Sequence, residues 1–225
     1  MLPILTPITS VQSEIIAKTW QRRAQREAHL ALRFGSLQNA LRAHQATPTV
    51  LKLVEQTAQD CQRHVEAYLT VARNFDADAG IENPSRPGPL APTKLSIEEK
   101  IVYELVALSC IEETLTGSLF GKVYALAKHP KVKLTAHLAF QDEIWHSRLG
   151  WAHLGNWGQS NDVTWLGEHL YKLLLDTQHH ELFDKESHEI PTEYGELNRS
   201  TKQELLREGL VTIILPGLES FGINI

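Results

Sequence analysis

The sequence predicts an all-α fold, in which four long helices form a bundle and further helices follow at the C-terminal end. Apolar residues recur every three or four positions over long stretches, as on the buried face of a helix. Proline and glycine are concentrated between those stretches, and no alternating apolar and polar run predicts a strand. The 42% of hydrophobic residues is ordinary for a folded globular protein.

The first two helices are predicted on either side of a short break. Residues 13–43 contain no proline and a single glycine, so they predict one long helix. Its apolar positions are Ile16, Trp20, Ala24, Ala31, Phe34 and Leu41. Pro48 predicts the start of the second helix, with Thr47 as its N-cap, because proline is favoured in a first helical turn.

A long connection separates the second helix from the third. Residues 76–95 hold four prolines and two glycines and can cross the length of a bundle. Ser96 and Glu99 have the spacing of a capping box, which predicts a third helix over about 97–128. A fourth helix is predicted over about 132–154. Two helices, a long connection and two more helices indicate a four-helix bundle with one crossover.

The C-terminal third is predicted to extend the same domain. Residues 1–157 would form the bundle, and residues 158–225 a helical extension packed on it. Within the extension, a fifth helix is predicted over 163–178 and a sixth over 201–215, which Pro216 would end. The extension would cap the bundle, shape a substrate entrance or form a homodimer contact, and the sequence leaves these open.

Composition excludes several classes of function. The net charge of −5 and the absence of a lysine or arginine block argue against a nucleic-acid partner. The basic stretch "QRRAQRE" at 21–27 is expected to be a solvated helix face. Two cysteines are too few for a disulfide framework, and no apolar run approaches the roughly 20 residues of a membrane span. We therefore expect a soluble cytoplasmic protein.

Each of the four long helices carries charged or metal-binding residues on its predicted apolar stripe. They are Glu27, Cys61 with His64, Glu113, and Glu143 with His146. Burying unpaired carboxylates costs several kcal/mol per group, so a chain that buries several must neutralise them. A metal ion would do this, and Glu143 and His146, three residues apart, can bind the same ion.

The motifs "QDCQRH" at 59–64 and "QDEIWH" at 141–146 share one pattern. With Glu27, Glu113 and the crossover, they resemble the ferritin-like di-iron carboxylate superfamily over about residues 13–154. The resemblance implies an all-α ferritin-like bundle with iron as cofactor, either a di-iron or a manganese/iron centre. The implied metal ligands are Glu27, His64, Glu113, Glu143 and His146.

The resemblance also implies partners for the two imidazoles in a second layer. Asp142 would accept a hydrogen bond from His64, and Asp60 would accept one from His146, which fixes the orientation of each ring. Glu112 competes with Glu113 for the ligand role, because it lies on an equally apolar stripe.

Cys61 departs from the family pattern, which has glutamate at this position. Three interpretations remain open. Cys61 is a thiolate ligand, or it is a small apolar filler with Asp60 turned in as the substitute ligand, or one metal position is weakened or lost.

The expected function is that of a di-iron or manganese/iron oxidase or oxygenase, which uses O₂ to oxidise a small organic substrate. Two alternatives remain. One is a metal-binding protein of the ferroxidase type without an organic substrate, and the other is a helical scaffold that has lost its metals.

Overall fold

The protein is all-helical in a computed structural model that describes residues 5–85, 87–177, 181–183 and 190–224, and these ranges contain no strand. The principal elements are α1 (Ser10–Ala43), α2 (Pro48–Ala72), α3 (Ile97–Leu105), a π-helical segment (Val106–Glu113), α4 (Thr114–Leu126), α5 (Pro130–Trp157), α6 (Leu166–Asp176), α7 (Arg199–Gly209), a second π-helical segment (Leu210–Ile214) and α8 (Leu215–Glu219). Two short 3₁₀ turns span Glu181–Phe183 and Thr192–Tyr194. The predicted fold class is confirmed.

The first three rods of the bundle have directions fixed by contacts at their ends. α3, the first π-helical segment and α4 follow one another without a break and form the third rod. Ser13, near the start of α1, donates a hydrogen bond of 3.0 Å to the Phe75 carbonyl just beyond α2, so α1 and α2 are antiparallel. His44, just after α1, lies 3.1 Å from Glu98 at the start of α3. The third rod therefore runs antiparallel to α1 and parallel to α2.

α5 is the fourth rod and runs antiparallel to α2. Lys131, at its start, donates to Asn74 beyond the end of α2 at 2.7 Å. Asn156, near its end, donates to Thr47 at the start of α2 at 3.3 Å. Because α2 and the third rod are parallel, the chain between them must return along the bundle. The residues from 73 to 96 make this crossover, as the proline-rich sequence predicted.

Capping explains where the helices begin. Thr9 caps α1 and forms a capping box with Gln12, so the helix begins three residues earlier than the stripe predicted. The predicted capping box of Ser96 and Glu99 is present at the start of α3. Asn198 caps α7, so this helix begins at Arg199, two residues earlier than predicted.

Two features of the helices differ from the expectation. The third rod is not a regular α-helix throughout, because Val106–Glu113 is π-helical. Pro216 does not end the last helix, since it lies in the first turn of α8, directly after the π-helical segment Leu210–Ile214.

The C-terminal helices pack against the bundle. Leu166, Leu170 and Leu173 of α6 are buried in the same apolar cluster as Trp20 of α1 and Val106 of the third rod. Tyr103 also donates a hydrogen bond of 2.7 Å to Asp176 at the end of α6. Within the described ranges, no helix combines the length and apolarity needed to cross a membrane.

Gly150 lies where α5 packs closely against the third rod. A Cβ atom at this position would lie 2.6 Å from Cys110 Sγ and 2.8 Å from both the Leu105 carbonyl oxygen and Ser109 Cβ. The Gly150→Ala variant is therefore expected to unfold with a free energy lower by about 1–3 kcal/mol, measured by urea denaturation.

Gly35→Ala is the matched control for this prediction. A Cβ atom there would meet no other atom within 4 Å, and Gly35 lies inside α1. This change is expected to raise the free energy of unfolding by about 0.5–1 kcal/mol. Equal effects of the two substitutions would show that the contact at Gly150 is not tight.

Candidate metal centre

The four rods bring their charged core residues together in the interior. Glu27 comes from α1, Cys61 and His64 from α2, Glu113 from the π-helical segment, and Glu143 and His146 from α5. Each of these side chains is at most 3% exposed. Such burial of three carboxyl groups and two imidazoles requires compensation by partners or by bound cations.

The six residues form two groups of three. Glu27, His64 and Glu143 make one group, and Cys61, Glu113 and His146 make the other. In each group, one potential ligand atom from every residue lies within 4.8 Å of the others. Metal ions bind such atoms at about 2.0–2.3 Å, so ligands on opposite sides of an ion stand about 4–4.6 Å apart. Each group is thus close to the size that one metal ion needs.

Glu143 joins the two groups. Its Oε2 atom lies 3.1 Å from His146 Nδ1, and its Oε1 atom lies 3.8 Å from His64 Nδ1. The two oxygens of one carboxylate therefore face one group each. This placement allows Glu143 to supply an oxygen to each of two ions.

The two aspartates lie behind the imidazole rings, as predicted. Asp142 Oδ2 is 3.0 Å from His64 Nε2, and Asp60 Oδ2 is 3.3 Å from His146 Nε2. In both rings Nε2 contacts the aspartate, and Nδ1 faces the glutamate carboxylates of the centre. Partners of this kind orient the ring and raise the basicity of the free nitrogen.

Asp60 is not placed as a substitute ligand for Cys61. Its Oδ1 atom accepts hydrogen bonds from Gln56 at 2.7 Å and Arg63 at 2.5 Å, while its Oδ2 atom faces the far side of His146. The expectation that Asp60 belongs among the metal ligands is therefore not met by its position. Cys61 itself lies in the group with Glu113 and His146.

Arg63 links the two halves of the site and was not identified from the sequence. Besides Asp60, it donates a hydrogen bond of 2.8 Å to Asp142. One guanidinium thus neutralises both aspartates that hold the imidazoles. Its position beside His64 in "QDCQRH" was the available signal, because an arginine next to an aspartate-rich site is a common counter-charge.

The two neighbouring glutamates of the third rod have different partners. Glu112 accepts a hydrogen bond of 2.8 Å from Arg26 on α1, and that guanidinium also donates to Thr116 at 3.1 Å. Glu113 is 1% exposed, and neither of its oxygens has a hydrogen-bond partner among the described residues. The geometry therefore favours Glu113 over Glu112 as the residue of the centre.

Several other atoms of the centre share this lack of partners. Within the described part of the chain, Glu27 Oε2, His64 Nδ1 and Glu143 Oε1 are also buried without a hydrogen bond. The approach of His64 Nδ1 to Glu27 Oε2, 3.4 Å, brings opposite charges together at a distance too long for a good hydrogen bond. Buried polar atoms are normally paired, so a cluster of unpaired atoms pointing at one another is typical of a ligand site.

The neighbouring side chains set the pKa values of the two imidazoles. Burial opposes protonation of His64, but the hydrogen bond with Asp142 and the charges of Glu27 and Glu143 raise its pKa to about 10. Burial also opposes protonation of His146, but Glu143 and then Asp60 raise its pKa to about 9. Without a cation, both rings are therefore in the positively charged imidazolium form at neutral pH.

Two acids of the centre, Glu113 and Cys61, keep their protons when no cation is bound. Burial and the neighbouring Glu143 carboxylate raise the pKa of Glu113 well above its ordinary value. Burial and the charges of Glu27, Glu113 and Glu143 raise the pKa of the Cys61 thiol in the same way. Cations would replace these protons, because they favour the ionised form of each ligand.

The donor set fits two divalent ions. Glu27, Glu113 and Glu143 as carboxylates and Cys61 as a thiolate would supply four negative charges, which balance two doubly charged cations. Carboxylate and imidazole suit iron and manganese, and thiolate adds a softer donor to one group only. The two metal positions would therefore differ in chemistry.

Aromatic rings close one side of the centre. Tyr68 stacks on His64 with ring centroids 5.6 Å apart, and Phe120 stacks on Tyr68 at 5.3 Å. Tyr68 and Phe120 are at most 1% exposed, so this side excludes water.

Comparisons with known proteins add no relative. The chain matches no protein-family model, no curated protein and no solved structure. The functional argument therefore rests on the helical bundle and on the buried carboxylate, imidazole and thiol groups at its centre.

Proposed function

We propose that the protein is a ferritin-like oxidoreductase that holds two metal ions, two irons or a manganese and an iron, and uses O₂ to oxidise a small organic substrate. One observation carries this proposal. Glu143 lies between two buried groups of ligand-type residues, and five atoms of the centre have no hydrogen-bond partner among the described residues: Glu27 Oε2, His64 Nδ1, Glu143 Oε1 and both carboxylate oxygens of Glu113.

The bound ions would supply the electrons that reduce O₂ and so generate the oxidant for the substrate. Glu27 and His64 would hold one ion, and Cys61, Glu113 and His146 the other. Glu143 would contribute one oxygen to each. This assignment uses every unpaired carboxylate of the centre.

The chain's own residues prepare the ligands for this role. Asp142 and Asp60 hold the rings of His64 and His146 so that Nδ1 faces inward in each. Arg63 holds the two aspartates in turn. Because the second layer is fixed before an ion enters, little ordering of side chains opposes binding.

Anaerobic loading with ferrous iron followed by mixing with O₂ tests the proposed function. We expect two irons per chain by elemental analysis, and oxidation of both by one O₂ without formation of a mineral. Continued turnover of excess iron to ferric mineral would instead identify a ferroxidase-type protein. Less than one iron or manganese per chain after loading would identify a scaffold without a metal centre.

The raised pKa values predict that metal uptake releases protons. His64 and His146 are protonated below pH values of about 10 and 9, yet only the neutral ring binds a metal. The affinity for ferrous or manganous ions is therefore expected to increase between pH 6 and pH 8, by roughly tenfold per pH unit for each proton released.

Calorimetric titration with manganese in buffers of different ionisation enthalpy measures this release directly. We expect one or more protons released per chain at neutral pH. Uptake at an affinity independent of pH would contradict the assignment of the two imidazoles as ligands.

A further inference from the structure

Tyr68 carries a buried hydroxyl that has no hydrogen-bond partner among the described residues. The whole side chain is 0% exposed. Tyr68 lies one turn after His64 on α2, and its ring stacks on the imidazole with the two centroids 5.6 Å apart. Buried hydroxyls are normally paired, so an unpaired one beside a proposed metal ligand indicates a partner that does not belong to the chain.

The hydroxyl lies on the side of the centre that contains His64. Burial, and then the charges of Glu27 and Glu143, raise the pKa of Tyr68 well above its ordinary value, whereas two arginines of α1 oppose the rise. Together with the stacking on the imidazole, these effects place the hydroxyl beside the group formed by Glu27, His64 and Glu143. The phenol is therefore protonated at neutral pH and is able to donate a hydrogen bond there.

The two proposed metal positions differ in their number of protein ligands. The group of Glu27, His64 and Glu143 supplies three ligands to its ion. The other group supplies three ligands of its own and also receives the second oxygen of Glu143, which makes four. Metal sites with three protein ligands typically keep a position open for water or substrate, whereas four protein ligands can close a site. The open position is therefore expected at the first ion, on the side of Tyr68.

Aromatic side chains enclose the space around the hydroxyl. Phe120 stacks on the Tyr68 ring with the centroids 5.3 Å apart, and Trp20 meets that ring edge-on at 5.5 Å. All three side chains are at most 1% exposed. Such a wall keeps out bulk water and favours a ligand of only a few atoms. In these apolar surroundings a hydrogen bond to a charged acceptor is stronger than it is in water.

We propose that Tyr68 donates a hydrogen bond to a small anion of two or three atoms that binds the ion held by Glu27, His64 and Glu143. The proposal rests on the part of the proposed function that places two ions in the centre, and it does not depend on the organic substrate. Under the proposed function, the same hydroxyl marks the position at which O₂ approaches the centre.

Titration of the full-length, cobalt-loaded protein with azide tests the proposal. The visible absorption of cobalt reports azide binding, and elemental analysis reports the metal content. We expect Tyr68→Phe to bind two cobalt ions per chain, as the unsubstituted protein does. Its affinity for azide should be at least about tenfold lower, because a hydrogen bond to a charged acceptor is lost.

Tyr103→Phe is the matched control. Tyr103 is also 0% exposed, but its hydroxyl donates a hydrogen bond of 2.7 Å to Asp176 at the end of α6. This variant is expected to bind two cobalt ions and to keep its affinity for azide. An unchanged azide affinity in Tyr68→Phe, or equal weakening in both variants, would overturn the proposal.

Infrared spectra at saturating azide separate a hydrogen bond from a change in packing. The asymmetric stretch of azide bound to the unsubstituted protein is expected to shift when H₂O is exchanged for D₂O. The stretch in Tyr68→Phe should not respond to this exchange. A stretch that responds in both proteins, or in neither, would contradict a hydrogen bond from Tyr68.

The same measurements distinguish this proposal from the proposed function. A chain that binds two cobalt ions but no azide would refute the open position beside Tyr68 alone. A chain that binds azide as expected, but whose ferrous form does not react with O₂, would refute the oxidoreductase alone. Less than one cobalt ion per chain would refute both.

Discussion

Replacing Glu143 by glutamine is expected to reduce the bound metal from two ions per chain to fewer than one. Glu143 faces both groups of ligands, with one oxygen 3.1 Å from His146 and the other 3.8 Å from His64. A glutamine of the same shape removes the negative charge that two cations would share. The affinity should fall by more than about a hundredfold, which is the upper end of the effect of losing an outer-layer partner.

Glu112→Gln provides the control for this experiment. Glu112 is a partly buried glutamate next to the proposed ligand Glu113, but it is paired with Arg26 outside the centre. This variant should still bind two ions, measured by elemental analysis after anaerobic loading. If Glu143→Gln also binds two ions, or if Glu112→Gln loses them, the placement of the centre is wrong.

Replacing Cys61 by serine is expected to remove a thiolate-to-cobalt absorption band in the near ultraviolet. Cys61 lies with Glu113 and His146 in one of the two groups and is fully buried. Its raised thiol pKa means that the sulfur ionises only when a cation is close. The cobalt-substituted protein should therefore show the band, and the serine variant should lack it and bind the second ion at least about tenfold more weakly.

Cys110 is the matched control for Cys61. It is also a buried free cysteine, and burial alone raises its pKa, because no carboxylate of the centre contributes. The Cys110→Ser variant should keep the absorption band. A band that survives in Cys61→Ser would show that Cys61 is an apolar filler, which is one of the other interpretations of this cysteine.

The sequence predicted the bundle because each rod repeats its apolar residues with a helical period. The same phase analysis placed Glu27, His64, Glu113, Glu143 and His146 in the interior, where the structure brings them together. The pairing of Asp142 with His64 and of Asp60 with His146 was predicted from the resemblance, and both contacts are present.

The sequence could not distinguish Glu112 from Glu113, since both lie on apolar stripes of a regular helix. The π-helical segment Val106–Glu113 alters the helical phase at this point, and its sequence contains no pattern that predicts the change. The partner that resolves the ambiguity, Arg26, lies more than eighty residues away in the chain. Long-range ion pairs of this kind are not visible to a local pattern.

The prediction that the basic stretch of α1 is a solvated face holds for the exposed Arg22 but not for Arg23, for a related reason. Three positive charges in one helix segment usually mark a solvated face, yet Arg23 is only 6% exposed. Glu181, from the C-terminal extension, covers it with two hydrogen bonds. The exposure of α1 therefore depends on a segment whose packing the sequence did not reveal.

Crystals of the iron-loaded protein, measured on both sides of the iron absorption edge, test the central claim most directly. We expect two anomalous peaks, one among Glu27, His64 and Glu143 and the other among Cys61, Glu113 and His146. Both peaks should lie within ligand distance of Glu143. A map without peaks in the bundle interior, or with iron only at surface carboxylates, would contradict the account.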